Sequence, residues 1–171
     1  MKYTMSVLVE NQAGVLSKVS GLFARRGFNI DSLAVGVTED PAISRMTIVV
    51  DGDEYMVEQL EKQLNKLIPV IKVKTLDPKE TIARTLSLLK ISAGAGHRED
   101  IMRISELMGA RIVDVTRTTL TLEFADTAER TETLEALLRP YGIKEIVRTG
   151  IIALEKGADP TRKIKKQEVI G

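Results

Sequence analysis

Two glycines and an isoleucine recur at a fixed distance along this chain. Gly14, Gly27 and Ile30 are matched 82 residues later by Gly96, Gly109 and Ile112. Further on, Leu60 and Leu64 are matched at an offset of 74 by Leu134 and Leu138. The change of offset (82 − 74 = 8) reads as a deletion in the connection between the second and third strands of the second copy. A chain of 171 residues has room for two small domains. A repeated order of elements makes those two domains alike.

Hydrophobic periodicity gives that order. Residues 3–10 alternate, with Met5, Val7 and Val9 on one side and Thr4, Ser6 and Glu10 on the other, as in a half-buried strand. Val15, Leu16, Val19, Leu22 and Phe23 follow at helical spacing. Arg25 and Arg26 fall in the last turn, where cations suit the helix dipole, and Gly27 ends it. Strands follow at 29–38 and 44–51, separated by a turn at Thr38-Glu39-Asp40-Pro41. Asp53 caps a second helix carrying Met56, Leu60, Leu64 and Leu67, and Pro69 ends it before a strand at 70–76. This is βαββαβ. The same order is expected at 85–92, at a helix through Ile101, Ile104 and Leu107, and at strands near 111–117 and 119–125. It continues with a helix through Leu134, Leu137 and Leu138 and a strand over 143–154. Expected boundaries are a first domain at 1–77, a linker at 78–82, a second domain at 83–156 and a flexible, lysine-rich tail at 157–171.

Such a unit makes a four-stranded antiparallel sheet with both helices on one face, an α+β architecture. Its second strand is expected at the sheet edge, where an apolar strand recruits a partner. Self-association through that edge follows as an expectation. Leu8 and Ala34 point away from the core-facing sets of their strands, so the second face of the sheet is not fully polar.

The stretch Glu10-Asn11-Gln12-Ala13-Gly14-Val15-Leu16 joins the first strand to the first helix. Asn11 suits a turn or cap. Gly14 lets another molecule approach the backbone, and the first N–H groups of the helix form a seat for an anion. With Asn29 at the start of the next strand, these groups frame a small zwitterion. Charge-assisted bonds net roughly 1.5–3 kcal/mol each, and a buried aliphatic side chain adds roughly as much. Against several kcal/mol of lost freedom, an affinity on the order of micromolar to millimolar follows. At the same offset in the second half, Asn11 becomes Ala93 and Asn29 becomes Arg111, so one such site per chain is expected.

Other chemistry is excluded residue by residue. The formal charge of +1 offers no field for nucleic acid. Zero cysteines rule out disulfides and thiol chemistry. His97 is the only histidine and has no second soft ligand to share a zinc ion. Gly94-Ala95-Gly96 lacks the third glycine of a dinucleotide fingerprint, which would fall at Glu99. An acylphosphatase-like enzyme shares the βαββαβ order but needs an arginine in the first turn, and this turn has none. An RNA-recognition module needs aromatics on its central strands, and only Tyr3 is offered. No apolar run is long enough to span a bilayer, and Met1-Lys2-Tyr3-Thr4 leads straight into a strand pattern, so a cytoplasmic protein is expected.

The turn residues, together with Phe23-Ala24-Arg25-Arg26-Gly27-Phe28-Asn29-Ile30-Asp31-Ser32-Leu33, resemble an ACT domain. With Ser44 to Ile48, Glu61 to Leu67 and Ile112 to Val115, they resemble more closely the small subunits of acetolactate synthase, over roughly residues 1–156. The resemblance implies an N-terminal ACT domain followed by a second ferredoxin-like domain. It implies no catalysis by this chain, binding to and activation of a catalytic large subunit, and feedback inhibition by valine or a related branched-chain amino acid. It also implies effector contacts from Asn11, Ala13, Gly14, Val15 and Leu16 of one chain and Asn29 and Ile30 of the other member of a homodimer. Thiamine diphosphate, magnesium and FAD are expected on the catalytic partner alone. A free-standing amino-acid sensor with another target is the alternative.

Overall fold

The computed structural model describes residues 1–161. Its first unit is built from β1 (Lys2–Glu10), α1 (Val15–Arg25), β2 (Ile30–Val37), β3 (Ile43–Asp51), α2 (Glu54–Asn65) and β4 (Val70–Leu76). The four strands form one antiparallel sheet in the order β2-β3-β1-β4, which leaves β2 at an edge. Alternation explains the core. Met5, Val7 and Val9 of β1 stand beside Met46, Ile48 and Val50 of β3, with Val73 of β4 completing the layer. The apolar stripe of α1 (Val15, Val19, Leu22, Phe23) and that of α2 (Val57, Leu60, Leu64) cover it.

Two details differ from the periodicity alone. In α2 the buried stripe begins at Val57, and Met56 is exposed. The carboxylate of Asp53 accepts the Met56 N–H at 2.7 Å and starts the helix at Glu54. Val57, Leu60 and Leu64 then fall at the spacing of three and four that faces the sheet. On the sheet's other face Ser6, Leu8, Thr47 and Val49 are all buried, so that face is not solvated either.

The second unit repeats the plan with β5 (Thr81–Ser92), α3 (Arg98–Met108), β6 (Arg111–Val115), β7 (Thr119–Asp126), α4 (Ala128–Leu138) and β8 (Ile143–Arg148). Sheet order is β6-β7-β5-β8. Its core joins Leu89, Ile91, Leu120, Leu122 and Phe124 to Ile101, Leu134 and Leu138. The single strand expected over 143–154 is broken: Gly150 takes φ 81°, and a separate strand β9 (Ile152–Glu155) pairs with β5. The stretch 78–82 is a short 3-10 turn, Pro78–Glu80, running into β5. Contacts group Met1–Ile82 with the described residues from Ala153 to Thr161, and Ala83–Ile152 as the other unit. Most of the expected 157–171 tail falls outside the described residues.

The repeat is visible in the hydrogen bonds. Phe28 N–H donates to Phe23 C=O at 3.0 Å, closing α1 over Gly27. Eighty-two residues on, Ala110 N–H donates to Ser105 C=O at 2.8 Å, closing α3 over Gly109. Both glycines take positive φ, 70° and 79°, as this helix-ending motif requires. Glu10 N–H to Pro69 C=O (2.9 Å) likewise corresponds to Ser92 N–H to Gly142 C=O (2.8 Å). The two units are tandem ferredoxin-like domains of the ACT type.

Candidate functional site

The β1–α1 turn is anchored from one side. Asn11 N–H donates to Ala42 C=O at 2.8 Å, and the Asn11 side-chain Nδ2 donates to Pro41 C=O at 3.0 Å. The β2–β3 hairpin that receives these bonds is itself braced. Thr38 Oγ1 donates to Ile43 C=O at 3.0 Å, and Asp40 Oδ1 accepts the Ala42 N–H at 3.0 Å. With one Nδ2–H given to Pro41, the Asn11 amide keeps Oδ1 as an acceptor.

Gly14 is the N-cap of α1 in the left-handed conformation, φ 83° and ψ −7°. A Cβ placed there meets nothing within 4 Å, so the space above it is open. No side chain caps this helix, and its first turn holds no acidic residue. The other helices differ. Asp53 caps α2, Thr127 caps α4, and α3 carries Glu99 and Asp100 in its first turn. The positive end of α1 is therefore left uncompensated, facing open space at a glycine.

The expected contact residues divide into two groups. Asn11, Ala13, Gly14, Val15 and Leu16 are together on the turn. Val15 packs its side chain into the core at 5% exposure, and its N–H donates to Gln12 C=O at 3.5 Å. Leu16 is 45% exposed and presents its side chain. Asn29 and Ile30 are elsewhere. Ile30 lies opposite Val50, and Val50 lies opposite Tyr3, at the far end of β1 from Glu10. Seven residues of strand separate the two ends, about 23 Å. The ion pair of Lys2 with Asp31, 3.2 Å, marks that far end. Within one chain the two groups do not meet.

In the second unit the corresponding turn is closed differently. Ala93 N–H donates to Thr118 C=O at 2.8 Å, the counterpart of the Asn11–Ala42 bond. The guanidinium of Arg98 takes over the side-chain role, donating from Nη2 to Ala93 C=O at 3.0 Å and to Thr116 C=O. Gly96 is not among the glycines of positive φ, and α3 starts one position later than α1 does. Periodicity could not show this exchange of an amide for an arginine. His97 is an exposed helix-start residue, its ring edge-on to Tyr141 with centroids 5.5 Å apart. Among the described residues, no group of three or more histidine, cysteine, aspartate or glutamate side chains could hold a metal ion.

Comparison with known proteins decides the family. Residues 5–72 match the family model described as the AHAS small subunit-like ACT domain, and residues 84–157 match that of the small subunit of acetolactate synthase. This chain belongs to the acetolactate synthase small-subunit family. It is 48% identical over 155 residues to the acetolactate synthase small subunit of Mycolicibacterium smegmatis, covering 91% of each chain. It is 43% identical to the isozyme 3 small subunit of Salmonella typhimurium, over 92% of this chain and 97% of that one. The crystal structure of the acetolactate synthase small subunit from Thermotoga maritima superposes with a TM-score of 0.87 at 37% identity, over 93% of this chain and 99% of that one. Family membership gives the chain an ACT-domain regulatory role and implies a catalytic subunit as its partner. No helix among the described residues is long and apolar enough to cross a membrane.

Proposed function

We propose that this chain is the non-catalytic regulatory subunit of acetolactate synthase, that it raises the activity of the catalytic subunit, and that it makes that subunit sensitive to valine. Valine binds where two copies meet. Its carboxylate sits on the free N–H groups at the start of α1, above Gly14. Its ammonium meets Asn11 Oδ1 and backbone carbonyls, and its side chain lies on Leu16. Asn29 and Ile30 of the partner subunit close the site.

The observation that carries this reading is the separation of Asn29 from Asn11 along one sheet. The ends of β1 and β2 lie together, since Val37 and Val9 both pair with Ser44. Two β2 edges pairing antiparallel place the start of each beside the end of the other. A homodimer so formed brings Asn29 of the partner subunit to the same end as the Asn11 turn. The exposed apolar residues Val35 and Val37 on β2 give that edge its reason to pair.

The effector can shift the enzyme only if the catalytic subunit distinguishes the filled seam from the empty one. Coupling of about 1–3 kcal/mol is usual. Thiamine diphosphate, magnesium and FAD are assigned to the catalytic subunit alone. The test is acetolactate formation by the reconstituted pair, with and without valine. Asn11→Ala and Asn29→Ala are expected to weaken inhibition and leave activation largely intact. Normal inhibition in both variants overturns the site. Failure of the wild-type chain to bind or activate the catalytic subunit overturns the function in favour of a sensor with another target.

A further inference from the structure

We propose that Lys2 and Asp31 are positioning residues of the effector site, their ion pair holding in place the start of β2 that carries Asn29 and Ile30. The role rests on the valine seam proposed above and adds two residues to it. They act through Asn29 and Ile30, not on the ligand. Register shows why this stretch needs a hold. Ile30 lies opposite Val50 and Ser32 opposite Val49, so β2 advances two residues while β3 advances one. Asp31 is the extra residue of a β-bulge, and a bulged residue is left out of the ladder. Before it, Phe28 N–H closes α1 onto Phe23 C=O at 3.0 Å, and Asn29 follows, exposed and ahead of the strand. The Asp31 carboxylate anchors the other end. Its Oδ2 meets Nζ of Lys2 at 3.2 Å, and the Asp31 side chain is only 24% exposed. Lys2 opens β1 opposite Asp51, and β3 lies between β1 and β2. The pair therefore reaches across a strand and ties the bulge at the sheet's edge to a central strand.

The second unit is an internal comparison. It bulges at the same place: Ile112 lies opposite Leu122 and Asp114 opposite Thr121, which makes Val113 the extra residue. At the offset of 82, Asp31 becomes Val113 and Lys2 becomes Arg84. An isopropyl group cannot pair with a cation, and Arg84 Nη1 donates instead to its neighbour, Ala83 C=O, at 2.7 Å. The bulge thus belongs to the shared scaffold, since both units form it. The tie across the sheet belongs to the half that carries Asn11 and Asn29, and the half with Ala93 and Arg111 does without it. A bulge that folds unaided in one unit does not need an ion pair to fold in the other. What the pair adds is a fixed direction for the residues beside it. Bulges commonly re-aim side chains next to binding sites, and the nearest candidates here are Asn29 and Ile30.

Lys2→Met keeps the stem and removes the charge, and Asp31→Asn keeps the shape. Partly exposed ion pairs shift equilibria roughly two- to fivefold. In the reconstituted enzyme each single variant is therefore expected to raise the valine concentration for half-inhibition by about two- to fivefold. The double variant should go no further than either single one. The reversed pair, Lys2→Asp with Asp31→Lys, should return it to within about twofold of wild type, a rescue that general destabilisation does not allow. Glu58→Gln breaks another ion pair of the first unit, the one to Lys62 at 2.7 Å, and should leave inhibition unchanged. A second readout needs neither valine nor the catalytic subunit. Hydrogen exchange by mass spectrometry should quicken about two- to fivefold in peptides over residues 28–33 of Lys2→Met, and not in Glu58→Gln. Unchanged exchange there overturns the proposal whatever valine does, as do additive single variants or a reversed pair that fails to rescue. Loss of inhibition that tracks dissociation of dimers by sedimentation also overturns it, by making the pair an assembly contact. If Asn29→Ala weakens inhibition while Lys2→Met and Asp31→Asn do not, the valine seam stands and the positioning role falls. If Asn29→Ala inhibits normally, both fall.

Discussion

Replacing Gly14 by aspartate puts a carboxylate into the seat proposed for the carboxylate of valine. Two costs separate cleanly. A Cβ at Gly14 meets no atom within 4 Å, so the substitution is not blocked sterically within the chain. The backbone there has φ 83°, however, and a side chain in the left-handed region costs about 1–2 kcal/mol. For a domain of this size that lowers Tm by roughly 5–15 °C. Gly14→Ala bears the same strain without charge. Gly14→Asp adds a negative charge that can cap the free N–H groups of α1 itself and repel a ligand carboxylate at about 4 Å. With an effective dielectric constant between about 20 and 80, that repulsion is roughly 1–4 kcal/mol. Valine affinity should therefore be weaker in Gly14→Asp than in Gly14→Ala by about five- to several-hundredfold. Calorimetric titration of both variants with valine, at a temperature where thermal melts show each fully folded, reads the difference. Equal affinity in the two refutes the placement of the carboxylate.

Asn11→Ala removes both the Oδ1 acceptor and the Nδ2 bond to Pro41, whereas Asn29→Ala touches neither; each should raise the valine concentration for half-inhibition about tenfold or more, and only Asn11→Ala should also lower stability in a denaturant melt, by about 1 kcal/mol of lost turn bonding. Phe23→Ala empties a site 1% exposed, where the ring also meets Phe28 edge-on at 6.4 Å, and should cost about 3–5 kcal/mol in a denaturant melt. The Asp126 carboxylate is held below the ordinary carboxylate range, chiefly by the Thr127 backbone N–H and then by Arg130. A depressed folded value means stability that is present above the unfolded pKa of about 4 and is lost as pH falls through the lower folded value. The gap in Tm between wild type and Asp126→Asn should thus be full near neutrality and close progressively below about pH 4.

The parts of the fold that depend on one periodicity at a time were open to reading from sequence. Alternation placed Met5, Val7, Val9, Met46, Ile48 and Val50 on one face, and the structure buries all six together. Glycines marked the helix ends because only the left-handed residue lets Phe28 and Ala110 bond back over Gly27 and Gly109. What failed to show depends on choices between neighbours. Met56 and Val57 both fit a helical stripe, and the cap at Asp53 decides between them. The break at Thr149–Ile151 interrupts an otherwise strand-like run and turns on Gly150, whose conformation no alternation records. The candidate site was half legible. Its turn residues are contiguous and stood out, but the distance between Asn11 and Asn29 is a property of strand order, and strand order emerges only from pairing.

The contrast between Asn11 and Arg98 bears on why sensing would be confined to one half of the chain. Each ACT-type unit must tie its first turn to the hairpin beside it, or the helix start would swing away from the sheet. In the first unit a short amide makes that tie through one N–H and keeps its oxygen as an acceptor, next to an open glycine and a helix start with no side-chain cap. In the second unit a long guanidinium makes it, bonding two carbonyls at once. Arg98 presents donors only, so nothing at this tie accepts a bond from an ammonium. Glu99 and Asp100 further offset the dipole that would attract a carboxylate. The same scaffold problem thus has two solutions in one chain: one keeps a binding seat open, and the other fills it with the protein's own charge. Restoring the seat would take more than Ala93→Asn. It would require removing Arg98 as well, and the Arg98→Ala change by itself should loosen the turn without creating valine affinity.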